Sequence, residues 1–434
     1  MTAPAEVTGL VPILKSSRDD THGKPGRNFP LFLLQMSRYA DNMGRWAAIA
    51  LGVSIPVSVA LDNLLLALVL AGWLAGGNYH EKLLIVKRNP VAVAALALFA
   101  LLLAGTLYGE RYPGDTLLYL GKYADLLFIP AFLWLFRHED GRRRGLYALA
   151  TSLALVLLLS YLIKFGLVPN SRWVLGDAAN PSVFKHYLTH NILMALAAFI
   201  FAQLAGAARS ARARWGWAAL AILAVVNVTA MMQGRTGYLT LGALALYWGY
   251  SRQRWRGVLV VAAAVAALGT TLALVPGPFQ DRLHQAANEI AAWQPGTAAM
   301  TSSGLRLEFY RNSLGIIAQR PLLGVGTGGF PRAYADKVRG SGMVETRNPH
   351  NEYLHIAAQI GMAGLGVLLY LFYRQWRLAA QLASPFECHL ARGLVLLMVA
   401  GCMFNSLLLD HAEGLLYAWL TGLLFGGLQF KGNG

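Results

Sequence analysis

Charge is scarce in this 434-residue chain. Asp, Glu, Lys and Arg make up 13% of it, about half of the ~25% usual for soluble domains. A water-soluble enzyme of this length needs a larger charged surface, so the shortage points to a polytopic membrane protein. Cysteine is scarce too. Cys388 lies in a short basic loop and Cys402 in an apolar run. Neither has a CxxC partner, which argues against a disulfide framework. Acidic residues are the third shortage, with 21 Asp plus Glu against 37 Lys plus Arg. Residues 1–28 carry Lys15, Arg18, Lys24 and Arg27 but no apolar stretch. They lack the core of a signal peptide, so the first span is expected to be the uncleaved insertion signal.

What the chain has is long apolar blocks. A membrane helix needs ~20 largely apolar residues. Blocks run at about 44–60, 61–76, 91–108, 117–136, 146–166, 191–206, 217–233, 236–250, 258–275, 351–373, 393–409 and 414–429. The expected fold is therefore all-α, with about twelve transmembrane helices. Pro56 and the Asp62-Asn63 pair alone separate the first two blocks, which suggests a tight helical hairpin. Blocks seven and eight meet at Gln233-Gly234-Arg235-Thr236-Gly237, too short a polar stretch for an ordinary loop.

Loop charges set the orientation. With both termini inside, the inside segments carry 23 Lys and Arg, and the short outside loops carry 3. Arg142-Arg143-Arg144, Arg209/Arg212/Arg214 and Arg252/Arg254/Arg256 all fall inside. The basic excess is thus topological and faces anionic lipid. The clusters are short, separated and free of interleaved aromatics, so no nucleic-acid partner is expected. The organisation reads as a cytoplasmic segment 1–43, spans one to nine over 44–275, an outside loop 276–350, spans ten to twelve over 351–429 and a cytoplasmic tail 430–434.

The long outside loop is the feature that calls for a function. Residues 279–293 and 305–318 space their apolar side chains as two amphipathic helices. A turn-rich stretch, Pro321-Leu-Leu-Gly-Val-Gly-Thr-Gly-Gly-Phe330, follows. It is no phosphate loop, because no Lys-Ser/Thr follows it on a strand–helix unit.

Three residues on the outer side can carry chemistry. Arg235 interrupts two apolar blocks, and a charge there is costly. It either snorkels to outer headgroups or, with Gly234 and Gly237 giving backbone access, binds a ligand. Arg306 opens the second amphipathic helix and offers a bidentate fork to phosphate, unless it pairs locally with Glu308 or the face of Phe309. Arg311, Arg320, Arg332 and Arg347 make the same loop basic. His350, in Asn348-Pro349-His350-Asn351-Glu352-Tyr353 where the loop enters a span, suits a base near neutral pH. Its blander reading is a helix-end His bonded to backbone. Asp410-His411-x-Glu413, at the last outside turn, either orients a base, binds sugar or is a plain polar turn.

Metal sites are weaker. His186 and His190 stand at i, i+4 without a third ligand nearby. His350 and His355 are five apart, so their rings diverge around a helix. No metal and no other cofactor is expected.

These motifs together resemble the O-antigen ligase and polymerase superfamily. Pro349-His350-Asn351-Glu352-Tyr353 followed by Gly361-x-x-Gly364 is similar to its His-Asn…Gly-x-x-Gly signature. Gly234-Arg235-Thr236-Gly237 resembles its small-Arg-small step. Gly304-Leu-Arg306-Leu-Glu308 with 321–330 resembles its outer-loop motif. The resemblance implies a multi-pass glycosyltransferase of the bacterial inner membrane with its active site facing the periplasm. In the ligase case the donor is an O-antigen glycan on undecaprenyl pyrophosphate, and the acceptor is lipid A–core. It implies His350 as catalytic base and Arg235 and Arg306 as pyrophosphate ligands. Asn351, Tyr353, Arg347, Arg311, Asp410 and His411 are further candidate contacts.

The ligase is the preferred reading. Protein-modifying relatives typically carry a further C-terminal region, whereas here five residues follow the last apolar block. Polymerases often have two long outer loops. Polymerase and protein O-oligosaccharyltransferase remain the alternatives. From other classes, so do a transporter of lipid-linked sugar and a structural subunit of an envelope complex.

Overall fold

The structure is a computed structural model that describes residues 28–168, 174–296 and 300–428. Residues 1–27 of the expected cytoplasmic N-terminal segment, all of the expected tail 430–434, and Arg172 lie outside the described residues. Among the described residues there are sixteen α-helices and no strand. With no water in a bilayer core, helices satisfy their own backbone groups, which is what so apolar a chain requires.

The first two helices, α1 (Asn28–Ser54) and α2 (Val59–Ala75), form the expected hairpin. They touch at Gly44 and Gly72, where a Cβ on Gly72 would sit 2.6 Å from the Gly44 backbone. Such close approach needs small residues. Next come α3 (Tyr79–Arg88), bent by 113° from α2, and α4 (Pro90–Ala104). Then follow α5 (Asp115–Lys122), α6 (Ile129–Leu135), α7 (Glu139–Lys164), α8 (Tyr187–Ala207) and α9 (Ala211–Val226). The helix α10 (Arg235–Leu274) has 40 residues, or ~60 Å if straight. It is not straight, because Gln253 and Arg254 leave helical geometry, Arg254 at φ 52°. Gly249 and Gly257 are pressed together across that break, whereas a straight helix would hold them ~12 Å apart. The two arms fold back on each other where the sequence places its inside loop 251–257.

The segment 276–350 holds α11 (Pro278–Ala291) and α12 (Ser302–Gln319), where the amphipathic spacing predicts them, and a third helix, α13 (Phe330–Val338), after the glycine-rich turns. The chain then enters α14 (Glu352–Leu378), α15 (Pro385–Gly401) and α16 (His411–Phe425). Trp419, Tyr417 and Phe425 of α16 are fully buried with Phe132 and Phe136. A helix apolar on all sides belongs in the middle of the bundle.

Six helices among the described residues are long and apolar enough to cross a membrane, and eight if each of two bent pairs is one span. The pairs are α2 with α3 and α5 with α6. This is the architecture of a multi-pass membrane protein, with six to eight such spans where the apolar blocks suggest twelve. Part of the difference is physical: α15 and α16 have 17 and 15 residues, short of the ~20 that span hydrocarbon unaided.

The outer loop has its own small core of Phe309, Ile316, Val325, Phe330, Tyr334 and Val338 against Ala358 of α14. Its attachment is made by backbone. At Ile360–Gly361, α14 unwinds, with Gly361 at φ 69°. The freed carbonyls of Ala358 and Gln359 accept from the N–H groups of Val325 and Gly326, each at 2.8 Å, and Met362 N–H donates to Pro321 O at 2.8 Å. Thr327 N–H donates to Gly105 O at 2.8 Å, and Gln359 Oε1 accepts from Gly328 N–H at 2.9 Å. The glycine-rich stretch is thus a strap that docks into a helix break.

A Cβ on Gly361 would collide with the Leu322 carbonyl, besides forcing positive φ on an L-residue. Gly361→Ala should therefore destabilise the purified protein by at least 1–2 kcal/mol. Gly366→Ala, where nothing lies within 4 Å, should be neutral or better. Thermal denaturation in detergent checks both. Equal melting points for the two variants would remove the strap from the account.

Candidate active site

Arg235 is the first residue of α10. Before it, α9 ends in a π turn, Asn227–Met231, and the chain is extended at Met232 and Gly234. Asn191, fully buried on α8, donates to the Gly234 carbonyl at 2.6 Å. Its side chain fills the space that a Cβ on Gly234 or Gly237 would need. The small-Arg-small step is therefore an unwound junction packed on an asparagine. It presents Arg235 at a helix N-terminus, where free N–H groups and the dipole already favour an anion.

The guanidinium reaches across to the loop helices. Arg235 Nη1 donates to Ser303 Oγ at 2.6 Å and lies 3.4 Å from Glu289 Oε2. Its Nη2 is buried without a hydrogen-bond partner among the described residues. Glu289 Oε2 also accepts from Ser303 N–H at 2.9 Å. Burial pushes the Glu289 pKa up, but the bonds from Ser303 and the charge of Arg235 outweigh it. The carboxyl lies below its ordinary value and stays ionised.

Arg306 follows Ser303 by three residues on α12, which puts both on one face of that helix. Tyr310, four residues further on, donates to the His350 carbonyl at 3.2 Å and to Met403 O at 3.0 Å. Arg306 does not pair with Glu308. That carboxylate is buried and takes Trp293 Nε1 at 3.0 Å, Gly296 N–H at 2.9 Å and Arg311 Nη1 at 3.1 Å. Glu308 and Arg311 therefore tie α12 to the turn after α11, while Arg306 is left to act on the surface.

His350 has φ 55°, a left-handed conformation rare outside glycine. Two bonds hold it there: its N–H donates to Asn348 Oδ1 at 2.8 Å, and Tyr310 reaches its carbonyl. The ring stacks on Phe309 at 6.1 Å and 25°. Its pKa is lowered, first by burial and then by the charge of Arg306. The imidazole is thus neutral at neutral pH, with its proton-accepting form populated. One helix, α12, carries the partners of all three residues: Ser303 for Arg235, Arg306 itself, and Phe309 and Tyr310 for His350.

The remaining candidates have local work. Asn351 caps α14, accepting from Leu354 N–H at 3.0 Å and donating to Met403 O at 2.9 Å. Tyr353 donates to Val399 O at 2.9 Å. Arg347 pairs with Asp115. His411 stands 3.6 Å from Asp62 Oδ2 and 3.9 Å from Asp125 Oδ2, and Asp410 precedes it at the start of α16 without a side-chain capping bond. His186 and His190 do not converge. His186 lies against Tyr187, and His190 is buried beside Asn227. Among the described residues no group of three or more His, Cys, Asp or Glu side chains is arranged to hold a metal ion. Sequence reasoning missed Asn191, Glu289 and Ser303, whose importance arises from contacts to Gly234 and Arg235 that lie 43 to 68 positions away in the chain and leave no local pattern.

This is a cationic site of a multi-pass membrane protein, assembled from a helix start, a loop helix and a histidine at a helix mouth. Residues 218–369, which contain all of it, match the family model described as O-antigen ligase. Among curated proteins, an uncharacterized protein of Haemophilus influenzae is 24% identical over 254 residues, covering 56% of this chain and 61% of that protein. The chain thus spans about three fifths of the length of the curated relative it matches.

Removing Glu308 deletes acceptors for three donors. Glu308→Ala should raise amide exchange sharply in peptides covering Trp293 and Gly296, while Arg306→Ala should leave them unchanged. Hydrogen-exchange mass spectrometry separates the two. Equal deprotection by both variants would place Arg306 in the scaffold.

Proposed function

We propose that the protein is an O-antigen ligase. In this reading it transfers a glycan from undecaprenyl pyrophosphate to the lipid A–core oligosaccharide at the periplasmic face of the bacterial inner membrane. The observation that carries the reading is the placing of Arg235, Arg306 and His350 around one helix within the segment that matches the ligase family. Its chemistry needs two things. The acceptor hydroxyl must lose a proton, and the departing pyrophosphate must be stabilised as negative charge builds on it.

His350 supplies the first. Its neutral imidazole takes the hydroxyl proton as the oxygen attacks the anomeric carbon. The bond from that carbon to the phosphate oxygen breaks with its electron pair on the pyrophosphate. A single displacement inverts the anomeric centre. Arg235 and Arg306 supply the second, as two guanidinium forks on one leaving group, with the α10 N-terminus behind them. These cations do the work that a divalent ion does elsewhere, so transfer should persist in excess chelator. The twelve-span topology, with both termini cytoplasmic, belongs to the same proposal. The fold-back of α10 at Arg254 and the basic residues around it are what support it.

Purified protein mixed with lipid-linked glycan and lipid A–core tests the reading directly, since a transporter or a structural subunit makes no covalent product. His350→Ala should lower the rate roughly 10²–10⁴-fold without loss of folding. The pH profile carries a sign. His350 is depressed in the folded protein, so activity holds at neutral pH and falls as pH drops through a value below the ordinary ~6.5. Arg306→Gln removes one depressing charge and should move that acid limb upward while lowering the maximum rate. An acid limb that does not move upward in Arg306→Gln would remove His350 as the base.

A further inference from the structure

A second polar cluster, not used by the reaction above, lies where α2, α16 and the start of α8 meet. Asp62 is fully buried, Lys185 is 7% exposed and Glu413 4%. Lys185 Nζ stands 3.8 Å from Asp62 Oδ2, and His411 Nε2 stands 3.6 Å from the same oxygen. These separations exceed hydrogen-bond length. Asp62 Oδ2, Lys185 Nζ, His411 Nε2 and Glu413 Oε2 all lack a hydrogen-bond partner among the described residues. Buried polar atoms are almost always satisfied. Here four of them make no hydrogen bond on one buried spot, three of these being joined only as the ion-paired triad of Asp62, Lys185 and His411. The His411 side chain is 31% exposed and connects that spot to the surface.

The cluster sits at the same end of the bundle as His350. Ser406 Oγ donates to Asn348 Oδ1 at 2.8 Å, the same oxygen that accepts the His350 N–H. Leu408 N–H donates to the buried Glu352 at 2.9 Å. From Ser406 to His411 is five residues, at most ~17 Å of chain. The two sites also differ in charge. Arg235 and Arg306 suit an anion. The second cluster sets the Asp62 carboxyl against Lys185 and His411, so its charges are largely matched and it offers no such cationic pair. Open acceptors beside an open ammonium fit hydroxyl groups, each of which both donates and accepts.

We propose that this cluster is a saccharide subsite that binds hydroxyl groups of the acceptor oligosaccharide. The inference rests on the ligase reading for the identity of the acceptor, and on the geometry of the cluster for the class of ligand. Its floor is Asp62, Lys185 and Glu413, and its mouth is His411, with His186 exposed at the start of α8. A sugar ring anchored there has its neighbouring residues within reach of the segment that holds His350.

The test uses the whole protein in lipid nanodiscs and, as probe, delipidated core oligosaccharide from a strain without O-antigen. Diethyl pyrocarbonate labelling, mapped by mass spectrometry, should slow several-fold at His411 and His186 when the probe is added. No change at either histidine would overturn the subsite. A second arm measures transfer by Asp62→Asn and Glu413→Gln. Each should raise the KM for acceptor roughly tenfold, the worth of one strong bond, and leave the KM for donor within about twofold. Equal changes in both constants, or in neither, would mean a structural cluster. Protection of His411 without any transfer by the unaltered protein would sink the ligase reading and leave the saccharide subsite standing.

Discussion

The active-site geometry depends on a helix that is not allowed to be regular. At Ile360–Gly361, α14 gives up its ladder, and the carbonyls it releases are taken by Val325 and Gly326 of the outer loop. Those bonds are strong because the junction is buried and no water competes for the carbonyls. They require glycine where the chains touch. Gly324, Gly326 and Gly361 all take positive φ, and each lies against backbone with no room for a Cβ. Fixing the strap fixes α12 behind it through Phe309, Phe330 and Tyr334. With α12 in place, Ser303 meets Arg235, and Tyr310 meets the backbone of His350.

Electrostatics then decides which cations are available. Several arginines of the loop are already matched: Arg311 by Glu308, Arg347 by Asp115, Arg332 by Glu110. Among the described residues Arg306 has no such carboxylate within ion-pair distance. Arg235 has Glu289, but at 3.4 Å and with one guanidinium nitrogen still open. A charge held beside apolar spans and only partly compensated is expensive to keep. It is kept where α10 begins, so the helix dipole adds to its field instead of opposing it from the far end. Burial, and after it the charge of Arg306, lowers the His350 pKa and holds the ring neutral. In the proposed reaction, one cationic centre would both stabilise the leaving anion and keep the base unprotonated.

Much of this was legible in the sequence. Apolar blocks and loop charges are one-dimensional signals, and they locate α4, α7, α8 and the turn between the arms of α10. The i, i+3, i+4 spacing over 279–293 and 305–318 finds α11 and α12. Arg235, Arg306 and His350 stand out because each is a charge or an imidazole beside a span. The pairing of Asn191 with Gly234, and of Glu289 with Ser303 and Arg235, was not legible. These contacts join distant segments, and a lone Asn or Glu carries no period. The glycine-rich stretch was recognisable as unusual, but its partner is a helix break that no pattern in 352–378 announces apart from Gly361. The short, bent elements around α3, α5 and α6 blur the span count, because a broken helix leaves the same apolar tally as an intact one.

The central claim is that the outer loop folds back so that Arg235 and Arg306 act on a single pyrophosphate. A double-mutant cycle on transfer tests it most directly. Arg235→Ala and Arg306→Ala should each lower kcat/KM roughly 10²–10³-fold, and the double variant should lose clearly less than the product of the two, because both residues act on one group. Strictly multiplicative losses would mean that the two guanidiniums serve separate sites.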